Sequence, residues 1–282
     1  MDFDFAQLSV PFRMRPGLAR LDAEAVHLTA LRPGSTLHAE KRALQQRGGP
    51  RLALPGFDAA PALAAIRAQA LKAGVTGHDA DTLPLELQVE EDLVVLDTAT
   101  TTIPWLCVSV PSRWAPEEKL GQTLASIHGP VADGEALATA LPHLLRVLSN
   151  GTHWERYVWT VSPSPRYDQH PLRHAAPAWP ATPDPDAFAQ QCFFRAERQT
   201  FVPLLDEHGQ PRPQVLFTIR VMLEPLATAV ARPADALRLH DAIGSMSDAV
   251  LAYKNLVPAR ERLLRWLSGR AGLPGPAPAS PV

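Results

Sequence analysis

Phe193-Phe194-Arg195-Ala196-Glu197-Arg198-Gln199-Thr200-Phe201 is followed, after the polar connection Asp206-Glu207-His208-Gly209-Gln210-Pro211, by Val215-Leu216-Phe217-Thr218-Ile219-Arg220-Val221-Met222. Aromatic and β-branched residues on both sides of a short Gly-containing polar link predict two antiparallel strands joined as a hairpin. Period two puts Arg195, Glu197 and Gln199 on one face of the first strand and Ala196, Arg198 and Thr200 on the other. A half-buried strand alternates apolar with polar, whereas this one is largely polar on both faces. That departure points either to a site or to a buried ion-pair network.

Working outward from the hairpin, Ile103–Val110 predicts a further strand, closed by Pro111, with Pro104 marking an edge position or the strand's start. Tyr157–Val161 is a short strand ended by Ser-Pro-Ser-Pro. Leu85–Leu96 alternates in its first half like a strand and turns continuously apolar after Asp92, as a buried strand or a helical turn would. Helices are expected from Ser35 to Arg47, with Ser35 or Thr36 as cap, and from 58 to 72, where Asp58 caps, Pro61 lies in the first turn and Gly74 stops the helix. A third, kinked at Pro142, is expected over 134–149. Residues 9–18 read as extended, and 162–187, with seven prolines and two histidines, as a long surface loop. A terminal helical region runs from about 233 to 267, and 268–282 reads as a disordered tail. Antiparallel strands bracketed by helices argue for an α+β domain. We expect one domain over 1–267 with helical extensions at both ends.

The composition narrows the function. The chain has 282 residues, with Lys+Arg 27 against Asp+Glu 29, and no basic cluster interleaved with aromatics, so a nucleic-acid surface is not expected. The acidic start and the lack of a long apolar run predict a cytoplasmic protein with no membrane span. Cys107 and Cys192 stand far apart among apolar neighbours and read as buried thiols. The 29 prolines are about twice the usual share, which predicts ordered, Pro-punctuated loops. No phosphate loop, Gly-x-Gly-x-x-Gly, Gly-x-Ser-x-Gly, His-Glu-x-x-His or Cys-x-x-Cys occurs.

One histidine stands apart. In Glu118-Lys119-Leu120-Gly121-Gln122-Thr123-Leu124-Ala125-Ser126-Ile127-His128-Gly129-Pro130-Val131, an apolar turn delivers His128 into a Gly-Pro stop. A helix-end histidine usually donates to a local carbonyl. The alternative is an axial ligand, because haem iron takes a single neutral imidazole whereas zinc or non-haem iron needs partner ligands that the sequence does not supply. Arg156-Tyr157-Val158-Trp159 then offers a cation and a flat apolar ring on a short strand, and Arg198 and Arg220 offer further cations. His170-Pro-Leu-Arg-His174 reads as solvated loop.

At these residues the chain resembles the haem-binding alpha subunit of haem-dependent oxidative N-demethylase, also called dimethylamine monooxygenase. The resemblance runs in order through Pro11-Phe12-Arg13-Met14, Gly17-Leu18, Glu91-Asp92-Leu93, Pro111-Ser112-Arg113-Trp114, Glu118-Lys119-Leu120-Gly121, Ile127-His128-Gly129-Pro130-Val131, Arg156 with Trp159, Glu197-Arg198-Gln199-Thr200 and Phe217-Thr218-Ile219-Arg220. It implies a PAS-like antiparallel sheet with flanking helices holding haem b. It also implies oxidation of a small methylated amine to the smaller amine and formaldehyde, with electrons from a separate reductase carrying flavin and an iron–sulfur centre. On that reading His128 is the metal ligand, and Arg156, Trp159, Arg198 and Arg220 are cofactor-binding residues. The family typically has Asn before the tryptophan, where this chain has Val158. A haem-binding sensor without turnover, or a scaffold of the same fold without cofactor, is the alternative.

Overall fold

The computed structural model describes residues 2–25, 27–75, 83–128, 147–148 and 150–273. Among the described residues, seven strands form one antiparallel sheet: β1 (Ala19–Leu21), β2 (Arg51–Ala53), β3 (Asp92–Asp97), β4 (Trp105–Cys107), β5 (His153–Ser162), β6 (Phe193–Leu205) and β7 (Pro211–Pro225). Their spatial order is β1-β5-β6-β7-β3-β4-β2. The predicted hairpin is its spine, with β6 paired to β7 from Phe193↔Pro225 to Leu205↔Pro211 across an irregularity at Pro203/Leu205. The α+β class and the antiparallel sheet with flanking helices are as the sequence predicts.

Register assigns each residue to a face. Trp159, Ala196 and Met222 are in line across β5, β6 and β7, and they pack with Phe194 and Val161 against helices from the C-terminal part of the chain. Farther along the same face, α2 (Ala60–Lys72) lays Ala62, Ile66 and Ala70 on Leu93, Val95, Trp105 and Leu216. We call this the helix face. On it, each fully buried Leu or Phe contributes about 1.5–3 kcal/mol by leaving water. The opposite face, with Arg156, Gln199 and Ile219 in line, is covered mostly by loops, by α1 (Thr36–Gln45) and by α3 (Leu124–His128). We call it the loop face.

Local chemistry sets the element ends. Ser35 caps α1 by accepting from His38 N at 3.2 Å. Asp58 accepts from Ala60 N at the head of α2, with Pro61 in its first turn, and Gly74 takes φ +67° beyond its end. β3 is buried along five of its six residues because both faces are covered. Leu85–Leu87, predicted extended, is instead a 3-10 turn after Pro84, closed by Leu87 N to Pro84 O and Gln88 N to Leu85 O.

The predicted strand Ile103–Val110 is realised only over Trp105–Cys107, between β2 and β3 rather than at an edge. Pro104 is its lead-in, and Pro104 O accepts from Leu54 N. The strand stops because the Asp92 carboxylate captures the next amides, Ser109 N and Val110 N, both at 2.9 Å. Lys41, itself buried, stands 3.5 Å from Asp92 and donates to Val89 O and Glu91 O. The chain thereby peels off the sheet and crosses the loop face.

The Pro-rich segment after β5 is also not the solvated loop expected from composition. Asp168, Gln169 and His170 are buried. Glu40 of α1 accepts from Tyr167 N and Asp168 N, and Gln169 N donates to Pro111 O. Asp168 is gripped by Arg173 at 2.9 and 3.0 Å and by His174 at 3.1 Å. His170 receives Leu172 N–H at Nδ1, so its Nε2 carries the proton and donates to Glu117 at 2.9 Å. Solvation gives way here because side-chain carboxylates satisfy the loop's own amides.

A short helix α4 (Pro185–Gln190), capped by Asp184, leads into β6, and the one-turn α5 (Leu226–Ala229) follows β7. Then α6 (Pro233–Gly244), α7 (Asp248–Tyr253) and α8 (Arg260–Ala271) complete the helix face. The last helix continues through Ser268 to Ala271, where Gly272 at φ +71° ends it, so 268–271 are helical rather than tail. The stretch 274–282 and most of the kinked helix expected over 134–149 lie outside the described residues. Among the described residues, no helix is long and apolar enough to cross a membrane.

Candidate functional site

Three of the polar residues of β6 that broke the strand pattern, Arg195, Glu197 and Gln199, face the loops. Arg195 is 1% exposed. Its Nε donates to Ser112 Oγ at 2.8 Å, and its terminal nitrogens donate to Tyr167 O at 2.9 Å, Arg166 O at 3.3 Å and Val110 O at 3.0 Å. One guanidinium thus ties the sheet to both loops above it. Burial pulls its pKa below the usual value, against the opposing pull of Glu197 and more distant carboxylates. Ser112 in turn donates its hydroxyl to Glu197 Oε1. Glu197 Oε2 accepts from Gln199 Nε2 at 2.7 Å, and Gln199 Oε1 accepts from Arg156 Nε at 2.7 Å. The result is a continuous chain, Arg195–Ser112–Glu197–Gln199–Arg156, in which a neutral residue stands between the carboxylate and each guanidinium.

Next to this chain lies an apolar floor. Phe201 and Phe217 stack with ring centroids 4.7 Å apart and planes 14° from parallel. Leu124 of α3 packs against the cluster containing Phe201, and Ile127 packs against the one containing Val94 and Leu106, with Phe217 common to both. α3 therefore lies over the loop face, and His128 is its last residue. Its backbone is described; Gly129 and Pro130 lie outside the described residues, as do the other residues of the stop.

The remaining sequence-nominated cofactor residues are elsewhere. Trp159 sits on the helix face, 7% exposed, edge-on to Phe12 and stacked on Phe194. Arg198 and Arg220, cross-strand partners on that same face, are ion-paired with Glu155 at 2.9 Å and Glu90 at 2.7 Å. Of the five nominated residues, the structure gathers the end of α3 and Arg156 on the loop face and sets Trp159, Arg198 and Arg220 on the other. Arg156 makes no ion pair among the described residues, and burial pulls its guanidinium below the ordinary value.

Sequence reasoning also passed over Lys254, which docks on the β5 edge, and its neighbour Tyr253. Lys254, just past α7, donates from Nζ to Trp159 O at 2.6 Å and lies 5.3 Å from the Trp159 ring and 5.4 Å from the Phe12 ring. Burial pulls its amine down to about 8, with Glu197 opposing. Tyr253 is 53% exposed, yet its hydroxyl is raised by burial and then by Glu197, with Arg156 pulling the other way. The sequence signal was thin: one of four lysines, after a tyrosine at a helix end. Among the described residues, no group of three or more His, Cys, Asp or Glu side chains could hold a metal ion by itself.

No curated protein matches the chain. Among solved structures, a sensory box sensor histidine kinase from Vibrio cholerae aligns at 11% identity over 57% of this chain and 96% of its own, with a TM-score of 0.24, too loose a likeness to carry an argument. The profile of the family described as haem-dependent oxidative N-demethylase, alpha subunit-like, matches residues 69–264. That span is more than half of the chain and holds α3, Arg156, the polar chain of β6 and Lys254. The chain belongs to the haem-dependent oxidative N-demethylase alpha subunit-like family.

Proposed function

We propose that this chain is the haem-binding subunit of an oxidative N-demethylase, a monooxygenase acting on a small methylated amine, with electrons delivered by a separate flavin and iron–sulfur reductase. The observation that carries the reading is the composition of the loop face: the end of α3, the stacked pair Phe201–Phe217 and the un-ion-paired Arg156 share one side of the sheet. These residues fit haem b. A porphyrin asks for a flat apolar surface, a cation for its propionates and one imidazole. His128 would supply the metal ligand and Arg156 the cation. The cofactor, when bound, supplies the activation of dioxygen that oxidises an N-methyl group.

The chain's own residues do the holding. Gln199 fixes the guanidinium of Arg156 through Nε. Both oxygens of Glu197 already accept a hydrogen bond, from Ser112 and from Gln199, so Glu197 tunes charge rather than offering a bare acceptor. Arg195 anchors the covering loops to the sheet. Titration of the purified chain with haem should give a Soret band that His128→Ala removes or shifts. With reductase and NADPH, a small methylamine should yield formaldehyde; a flat trace across methylamines argues against turnover.

One observation favours a second reading. Val158, where the family typically has Asn, pairs with Glu197 across β5 and β6 and lies on the loop face. The substitution removes a polar group beside the site itself. A haem-binding sensor without turnover fits that loss: it predicts the Soret band without formaldehyde, whereas a cofactor-free scaffold predicts neither.

A further inference from the structure

A helix of five residues, such as α3 (Leu124–His128), forms too few bonds of its own to repay the cost of ordering it. Its position is set by what it is tied to. Besides the contacts of Leu124 and Ile127 with the apolar floor, that is the turn between β3 and β4. Gly121 N donates to Ile103 O at 2.8 Å and Ile103 N to Gln122 O at 3.2 Å, and Thr102 and Thr123 pair as an antiparallel bridge. Leu124 N, the amide that opens α3, then donates to Thr101 O at 3.0 Å. A free donor of the helix start is thus answered by the turn.

The carbonyl that answers it belongs to a strained residue. Among the described residues, three that are not glycine take positive φ, and Thr101, at +61°, is the one with a branched Cβ. Branching makes the left-handed region costly, and such strain persists only where the surroundings over-determine it. Asp97 does so. Its Oδ1 accepts from Ala99 N at 3.0 Å, Thr100 N at 2.8 Å and Thr100 Oγ1 at 3.1 Å. Asp97 N donates to Thr102 O at 2.9 Å, Thr98 N ties the turn to Pro213 O of β7 at 3.0 Å, and the hydroxyls of Thr100 and Thr102 are 2.7 Å apart. Across the seat, Gly121 takes φ +74°, and a Cβ there would stand 3.1 Å from Leu54 Cδ2. Both sides fit one backbone path.

We propose that the Asp97–Thr102 turn is the seat that sets where α3 ends, with Thr101 as the positioning residue for His128 and Asp97 as the residue that holds Thr101. The inference rests on the proposed function for what His128 does there, which is to ligate haem iron; the seat itself belongs to the chain without cofactor.

The seat and its consequence are measured separately. In the full chain without haem, hydrogen exchange followed by NMR compares the Leu124 amide with those of β6 and β7. With haem, affinity and the Soret band are recorded. Oδ1 alone carries the three bonds accepted by the Asp97 side chain, so Asp97→Asn keeps them and Asp97→Ala removes them. Asp97→Ala should speed Leu124 exchange about tenfold while β6 and β7 stay protected. It should weaken haem about tenfold, as loss of a group that orients a metal ligand does, and displace the Soret band, which free imidazole returns to the parent position. Asp97→Asn should match the parent throughout. So should Thr101→Gly, which keeps the carbonyl and accepts φ +61°. Leu124 exchange unmoved by Asp97→Ala overturns the seat, and so does deprotection of β6 and β7 along with it, because Asp97 then holds the whole sheet. Faster Leu124 exchange with haem affinity and spectrum like the parent's overturns the positioning role; if His128→Ala removes the band in the same series, the haem reading stands. A parent chain without a Soret band, or with one that His128→Ala leaves unaltered, overturns the haem reading and the positioning role together.

Discussion

β5, β6 and β7 carry arginines on both sides, and the two sides treat them differently. On the helix face, Arg198 and Arg220 each meet a carboxylate directly and sit at the margin of a large apolar core. On the loop face, Arg195 and Arg156 are bonded to carbonyls, a serine and a glutamine, and the one carboxylate between them is reached through neutral groups. An ion pair at a core margin completes itself. A guanidinium held by neutral partners keeps more of its field unanswered, and the two differ in their donors: Arg195 bonds the covering loops through all three nitrogens, whereas Arg156 bonds through Nε alone among the described residues.

The contrast can be broken most forcefully at Arg195. Replacing it with Leu leaves Ser112 and three loop carbonyls without their donor, and we expect a loss of about 4 kcal/mol in urea unfolding. A loss below about 1 kcal/mol would mean that the loops are held by something else. Phe194→Ala, on the helix face, opens a cavity beneath Trp159 and Phe5 and should cost about 3 kcal/mol while leaving haem affinity unchanged. A change in haem affinity there would blur the division between faces.

Lys254 gives an intermediate effect that depends on pH. Its amine falls from 10.5 in the unfolded chain to about 8 in the fold. Between those values the unfolded state binds more protons, so this lysine's contribution to stability is complete above about 10.5 and is lost as pH falls toward 8. The difference in stability between Lys254→Met and the parent should therefore change across that window and be flat below it; a difference independent of pH would show that the amine is not buried in solution. The smallest effect belongs to Arg198→Ala. Its partly exposed pair with Glu155 should be worth less than about 1 kcal/mol and fade further in salt, measured by the same unfolding curves at low and high ionic strength.

Much of this contrast could be read in the chain before its structure. Polar residues on both faces of Phe193–Phe201 flagged the strand, and period two placed Arg195, Glu197 and Gln199 together. The same arithmetic sets Arg156 and Trp159, three apart, on opposite faces of β5, so treating them as one binding unit ran against the geometry of a strand. What period alone could not give was register. Which β6 residue stands beside Arg156 depends on the ladder, and Gln199 is found only there. The early end of β4 was hidden for another reason: a carboxylate on a neighbouring strand takes the amides that would have continued it. Composition misjudged the Pro-rich segment because its amides are answered by Glu40, more than a hundred positions away. Lys254 carried no pattern at all, since its importance comes from docking against a strand edge.

That docking has a consequence for how molecules of this protein behave toward one another. β1 covers β5 only along His153–Glu155, and among the described residues no strand lies outside the rest of β5. A bare strand border of that length invites the border of a second molecule to zip onto it. The Lys254 ammonium, planted on the Trp159 carbonyl between two aromatic rings, takes one of the acceptors such zipping would need and puts a charge in its path. Lys254 thus blocks one pairing position on the open border of β5.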